Sequence, residues 1–318
     1  MFRVGIDLGG TNIAVGVVND QMKIVGEGKV KTNSPRPVEA ICDDIKKAVD
    51  IALENAGITM SEVETVGIGA PGSVNPETGI IGFSNNLGFH NAPIVELLEQ
   101  RLSKKVYIDN DANAAALGEM LAGAGKGTEN FVAITLGTGV GGGTIINGKM
   151  LLGSNFAGGE LGHTVIVMDG EPCTCGRRGC WEAYASATGL IRQTKEKMEE
   201  CRDSVMWELC NGNLQNVNGR TAFDAMRKGD RAGTEVVDLY CKYVACGLTN
   251  IINIFQPEVL CIGGGISKEG RNLLDRIEPI VESARFSKNI GNQTVIKTAE
   301  LGNDAGIIGA AYLAKIYS

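Results

Sequence analysis

Histidine is almost missing from this chain, with two residues in 318; prolines number only 8, aromatic side chains make up 5%, and positive charge is not in excess. Each shortage excludes something. Thirty Lys and Arg against 37 Asp and Glu leave a formal net charge of -7, so non-specific adhesion to nucleic-acid phosphates or anionic membranes is not expected. No uninterrupted apolar segment is long enough to span a bilayer. Nor does the N-terminus join a basic start, an apolar run and a small-residue cleavage site, so a cytoplasmic location is the expectation. The 44 glycines lack the three-residue period of collagen, and 43% hydrophobic against 21% charged residues excludes a disordered chain. Nine scattered cysteines do not suit a disulfide scaffold, and Cys42, Cys201, Cys210, Cys241, Cys246 and Cys261 read as buried thiols.

A length of 318 residues exceeds the usual size of one cooperative core and predicts two packed domains. Residues 3–6 read as a strand, 7–12 as a Gly-rich turn, 13–18 as the returning strand and 24–29 as a third. This antiparallel start does not fit the strand-to-helix setting of a dinucleotide fingerprint. Val38, Ile41, Ile45, Val49 and Leu53 recur at helical spacing, with Gly57 as the stop. Strands are predicted over 63–68, 106–108, 259–262 and 294–298, and helices over 93–102, 112–121, 184–200, 221–228, 232–255, 273–284 and 303–316. This alternation places the chain in the α/β class. Val4, Ile6, Leu8 and Gly9 match Val132, Ile134, Leu136 and Gly137, which reads as an internal duplication of a strand-turn-strand module.

Three glycine turns carry the chemistry. Asp7-Leu-Gly9-Gly10-Thr11-Asn12 sets a carboxylate at a strand exit, followed by glycines that let backbone amides approach phosphate oxygens. Gly137-Thr138-Gly139 and Gly263-Gly264-Gly265 offer two more such turns. None contains a Walker A lysine, so cradling falls to amides, hydroxyls and Mg²⁺, which Asp7 is placed to hold through water.

With these residues in view, the chain resembles the ROK sugar kinases, within the wider group similar to actin and Hsp70, over essentially its whole length. The resemblance rests on Asp7 to Thr11, Asn110-Asp111-Ala-Asn-Ala-Ala, Leu136 to Gly143, Gly158-Gly159-Glu160-Leu-Gly-His163, and Cys173-Thr-Cys175-Gly-Arg-Arg-Gly-Cys180-Trp-Glu182. It implies a two-lobed actin-like ATPase (ribonuclease H-like) fold with ATP and sugar in the cleft. Residues 1–115, completed by 303–318, would form the small lobe and 116–302 the large one. It also implies Asp111 as the base that takes the hydroxyl proton, and Asn86, Glu160, His163 and Glu182 as sugar contacts. Asn110 is a further sugar contact by its chemistry, and Asp109 reads as structural. Similarity to the bacterial glucokinases of the family implies glucose and transfer to O6, with N-acetylmannosamine, N-acetylglucosamine or fructose as alternatives and polyphosphate as a further donor. A homodimer is common in the family. Relatives that act as repressors carry a helix-turn-helix before the first strand, which here begins at Arg3, so a regulator is not expected. A chaperone-like ATPase would have no use for Glu160, His163 and Glu182.

His163, Cys173, Cys175 and Cys180 are a separate set. Three thiolates and one imidazole match a closed, structural Zn²⁺ site with no position left for a reactive water. One ring nitrogen of His163 would bind the metal and the other face a sugar hydroxyl.

Overall fold

The computed structural model of the protein describes residues 1–317. Two compact units are present, one made of residues 1–133, 142–159 and 299 onward, the other of 134–141 and 160–298. The first opens with β1 (Phe2–Leu8), β2 (Asn12–Asn19), β3 (Ile24–Lys31), α1 (Val38–Ala56) and β4 (Val63–Ala70). Three short strands follow, β5 (Ser73–Asn75), β6 (Ile80–Ser84) and β7 (Phe89–Ala92), then α2 (Ile94–Leu102), β8 (Val106–Asn110) and α3 (Asp111–Ala122). Residue 115 therefore lies inside α3, within the first unit. Further along come β9 (Phe131–Leu136), β10 (Val140–Ile146), β11 (Lys149–Met150), α4 (Glu182–Ala185), α5 (Ala187–Glu200), α6 (Met206–Leu209), α7 (Thr221–Arg227) and α8 (Arg231–Phe255). The chain then makes β12 (Val259–Gly263), α9 (Arg271–Ala284), β13 (Val295–Thr298), α10 (Asp304–Ala311) and α11 (Ala314–Tyr317).

The first sheet has the order β3-β2-β1-β4-β8 and the second β11-β10-β9-β12-β13. In the first, β1 pairs antiparallel with β2 and parallel with β4, and β4 pairs parallel with β8. The repeat visible in the sequence is thus a repeat of whole sheets, each built outward from a strand-turn-strand hairpin. Alternation decides the faces of β1: Val4, Ile6 and Leu8 are fully buried in the cluster with Ile41, Ile45 and Val49 of α1. The opposite face receives α10. A Cβ on Gly5 would stand 1.8 Å from Ile307 O and one on Gly67 1.8 Å from Ala310 O, so only glycine lets this helix lie against the sheet. Glu119 of α3 locks the arrival of that segment. Its buried carboxylate accepts from Ala124 N at 3.0 Å, Glu300 N at 3.0 Å and Leu301 N at 2.8 Å.

Three expectations need correction. The helix predicted over 184–200 is broken at Ser186, which is extended (φ -75°, ψ 164°) and caps α5 by accepting from Gly189 N at 3.0 Å. The one predicted over 303–316 is interrupted at Tyr312 and Leu313. Cys42, Cys210, Cys241 and Cys261 are buried as expected, but Cys246 is exposed and Cys201 only half-buried.

Candidate active site

Within the first unit, the register of parallel strands sets Asp7 beside Gly69 and Gly69 beside Asp109 at one end of the sheet. Ligands of open α/β sheets bind at such carboxyl ends, where loops and helix N-termini leave the strands. A Cβ on Gly69 would touch the Asp111 Cα at 3.5 Å, so α3 starts directly over β4. Asp7 and Asp111 consequently share one partly buried neighbourhood. Burial, and then the charge of Asp111, pushes the Asp7 carboxyl up to about 6, and burial raises Asp111 as well. Two carboxylates that repel in a shared site are an arrangement that a divalent cation relieves.

Local bonds aim Asp111. Asn110 caps α3, its Oδ1 accepting from Ala112 N at 2.9 Å while its Nδ2 donates to Gly72 O at 3.1 Å. The amide expected at a sugar therefore also holds the β8–α3 junction, with one hydrogen and one lone pair to spare. Ala112 N also reaches Asp111 Oδ1 at 2.9 Å, which ties one carboxylate oxygen to the helix and leaves the other as a proton acceptor.

The first glycine turn is closed by Gly9 N donating to Asn12 O at 2.9 Å. Thr32 fixes it from behind, through N to Thr11 O at 3.0 Å and Oγ1 to Gly9 O at 2.6 Å. A trans peptide points its N–H opposite to its C=O, so the Gly10 amide faces away from Thr32. Asn86 lies over this turn: its carbonyl is 3.1 Å from where a Gly10 Cβ would stand, and it accepts from Ser34 Oγ at 2.8 Å. The Asn86 side chain is exposed there.

In the second unit the same logic orients the second turn. Gly137 O accepts from Ala187 N at 2.8 Å and Thr138 O from Thr188 Oγ1 at 2.8 Å, so the amides of Thr138 and Gly139 point away from the start of α5. Gly264, in the left-handed region at φ 84°, would place a Cβ 2.5 Å from Leu136 O. The turns at 137–139 and 263–265 are therefore neighbours. Glu182 reaches from the second turn to the cysteine loop: Oε2 accepts from Val140 N at 2.9 Å, and Oε1 accepts from Thr174 Oγ1 at 3.4 Å. A cavity of about 510 Å³ opens between them, lined by Thr138, Gly139, Cys173, Thr174, Glu182 and Thr188 among others. Glu160 is exposed, and its carbonyl accepts from His163 N at 3.1 Å in a short 3₁₀ turn.

The ligand atoms of His163, Cys173, Cys175 and Cys180 all lie within 4.8 Å of one another. Cys173 Sγ is 3.6 Å from His163 Nδ1, and the Cys175 and Cys180 sulfurs are also 3.6 Å apart. A tetrahedron with Zn–S bonds of ~2.3 Å has edges of roughly 3.8 Å, so the donor set fits Zn²⁺ in chemistry and spacing. The loop gets its shape from Cys173 N donating to Arg177 O at 2.9 Å, and from Gly179, whose Cβ would stand 1.7 Å from Val167 O. Trp181, fully buried, anchors it by donating Nε1 to Tyr243 O at 2.8 Å and packing its ring on Gly247 of α8.

A profile described as the ROK family matches residues 3–316. The chain belongs to the ROK family. Glucokinase of Thermotoga maritima is 39% identical to this ROK chain over 313 residues, 98% of this chain and 96% of that one. The xylose repressor of Bacillus subtilis is 30% identical over 315 residues, 97% of this chain and 75% of the repressor. Among solved structures, a ROK family glucokinase from Streptomyces griseus in complex with glucose and AMPPNP superposes with a TM-score of 0.80 at 36% identity, covering 99% of both chains. The fold is the two-lobed actin-like ATPase fold, with duplicated strand-turn-strand modules.

Several residues that shape the ROK site carry no signal in the sequence. Thr32, Thr188 and Gly306, whose Cβ would sit 3.5 Å from the Asp7 carboxyl carbon, act across long sequence separations. Only the polar character of Thr32 and Thr188 and the small size of Gly306 could have marked them.

Proposed function

We propose that this protein transfers the γ-phosphoryl group of ATP to the O6 hydroxyl of glucose, forming glucose 6-phosphate. Similarity to glucokinases over 98% of the chain carries the reading. In it, Asp111 accepts the hydroxyl proton as the oxygen attacks phosphorus, a step that needs alignment more than covalent help. The amides and hydroxyls at Gly9, Gly10, Thr11 and Asn12, at Gly137, Thr138 and Gly139, and at Gly263, Gly264 and Gly265 hold the phosphates. Asp7 binds Mg²⁺ through water, and the ion supplies charge neutralisation to the phosphates. Asn86, Glu160, His163 and Glu182 meet the sugar hydroxyls, and Asn110 does so with the amide hydrogen and lone pair left over from its bonds to Gly72 and Ala112, each polar group replacing hydration that the sugar loses. His163, Cys173, Cys175 and Cys180 hold a structural Zn²⁺, which supplies rigidity to the loop carrying His163 and Glu182. No helix among the described residues is long and apolar enough to cross a membrane. The proposal places the enzyme in the cytoplasm, as a homodimer without nucleic-acid or membrane partners.

A coupled assay of ATP consumption across glucose, fructose, mannose, N-acetylglucosamine and N-acetylmannosamine tests this. Glucose is expected to give the highest kcat/KM. Preference for an N-acetylhexosamine or fructose would assign a different kinase of the family. No sugar-dependent turnover, with operator DNA shifted in a gel, would support a regulator, a reading kept in view by the xylose repressor similarity.

The pH profile follows from the carboxylates. Asp7 and Asp111 work ionised, and both are raised, Asp7 to about 6. Activity is therefore expected to be lost as pH falls through the raised values, with the acid limb displaced above the range of ordinary carboxylates. A kcat/KM profile flat down to pH 5 would remove one of the two from its role.

A further inference from the structure

We propose that Tyr317 is a positioning residue for phosphoryl transfer, acting through Asp109 on the first turn of α3, and this rests on the reading of Asp111 as the base. Asp109 ends the apolar part of β8 with a side chain only 2% exposed, where an unpartnered carboxylate is costly. Its Oδ1 accepts from Asn110 N at 2.7 Å and from Asn113 Nδ2 at 2.9 Å, and its Oδ2 accepts from Tyr317 Oη. The two donors to Oδ1 stand on either side of Asp111 in the chain, one residue before it and two after. Asp109 thus clamps the backbone that presents Asp111, beside the Asn110 cap and its bond to Gly72 O.

The phenol completes that clamp from 208 residues away in sequence. Burial pushes the Asp109 carboxyl up, and the bonds from Asn113, Tyr317 and Asn110 oppose this. Without the hydroxyl, Oδ2 is left buried with no donor. The carboxyl then turns toward water or takes a proton, and either response weakens the grip of Oδ1 on Asn110 and Asn113. A shift of a fraction of an ångström at Asp111 is enough to spoil alignment with the attacking hydroxyl. Sugar and nucleotide affinity reside mostly in other side chains and turns, with Asn110 one sugar contact among five, and are largely spared.

Tyr317→Phe removes only the hydroxyl. Its kcat is expected to fall about tenfold, with KM for glucose and for ATP within about twofold, because the interaction lost is one that serves the transition state. In the Asp111→Asn background the same change is expected to cause no further loss, since the effect passes through Asp111. Tyr312→Phe is the control. Its hydroxyl donates to Asn19 O at 2.9 Å, so that variant should lose melting temperature but not kcat. Should Tyr317→Phe yield too little folded protein, Asn113→Ala removes another donor to the same carboxylate and should give the same kcat-selective loss. Unchanged kcat in the folded variant, an equal kcat loss in Tyr312→Phe, or full additivity with Asp111→Asn would overturn the proposal. Near-normal activity of Asp111→Asn alone would instead overturn the reading of the base.

Discussion

Replacing Asp111 by Asn or Ala is expected to lower kcat by on the order of 10²–10⁴ while the protein stays folded and binds nucleotide, the loss typical of removing a general base. The proposed role in catalysis is separate from the capping of the helix. Asn110, not Asp111, supplies the cap of α3, so the helix keeps its first turn in the variant. Stability should even rise slightly. A carboxyl whose folded-state pKa is raised contributes stability only when protonated, and that contribution is lost as pH rises through the raised value. At neutral pH the native carboxylate therefore costs stability, and a neutral amide removes the cost. The measurement is kcat beside melting temperature and nucleotide affinity. A variant with near-normal kcat would take Asp111 out of the reaction, and one that loses nucleotide binding or unfolds would show that it has a structural duty.

Under the proposed zinc site, removal of the metal is expected to have the second largest effect, a marked drop in melting temperature together with a rise of roughly tenfold or more in the KM for glucose. The loop from His163 to Trp181 has no regular helix, and turn bonds such as Ile166 N to Gly179 O at 2.9 Å and Cys173 N to Arg177 O at 2.9 Å set its path. At its centre three thiols and an imidazole lie within 4.8 Å of one another, a cluster that a bound cation would hold together. Without a cation, burial and the neighbouring sulfurs push the Cys180 thiol up to about 12, and coordination would reverse that by favouring the thiolate. Folding and metal binding are then one equilibrium. His163 and Glu182 sit at the two ends of the loop, so the sugar side suffers before the phosphate side. Chelated protein and Cys175→Ser, with metal content measured, provide the test. Metal-free protein with unchanged melting temperature and KM would refute the site.

Much of this was legible in the residues themselves. The paired hairpins, α1 with its Gly57 stop, and the run of strand β8 into Asp111 follow from apolar periodicity and glycine placement, which are local signals. The Cys-x-Cys spacing with a following Cys and a preceding His marks a set of side chains that the fold brings within 4.8 Å of one another. What escaped notice depends on distant partners. Strands β5 to β7 are three to five residues long, too short for alternation to register, and Ser186 interrupts an otherwise good helical pattern because Gly137 O is waiting for Ala187 N. Asn110, whose chemistry suits a sugar contact, also caps α3 through Ala112 N and donates to Gly72 O, a second use that only the fold discloses.

The Glu119 lock and the glycine-lined seat of α10 have a bearing on biosynthesis. Strands β1 and β4 leave the ribosome with one face bare, and the helix that covers it belongs to the segment after residue 298. At ~5–20 residues per second, the intervening stretch takes on the order of ten seconds or more to emerge. The unit synthesised in the middle is thus free to mature first, while the one begun earliest waits exposed, a window in which a nascent chain of this kind would call on a chaperone.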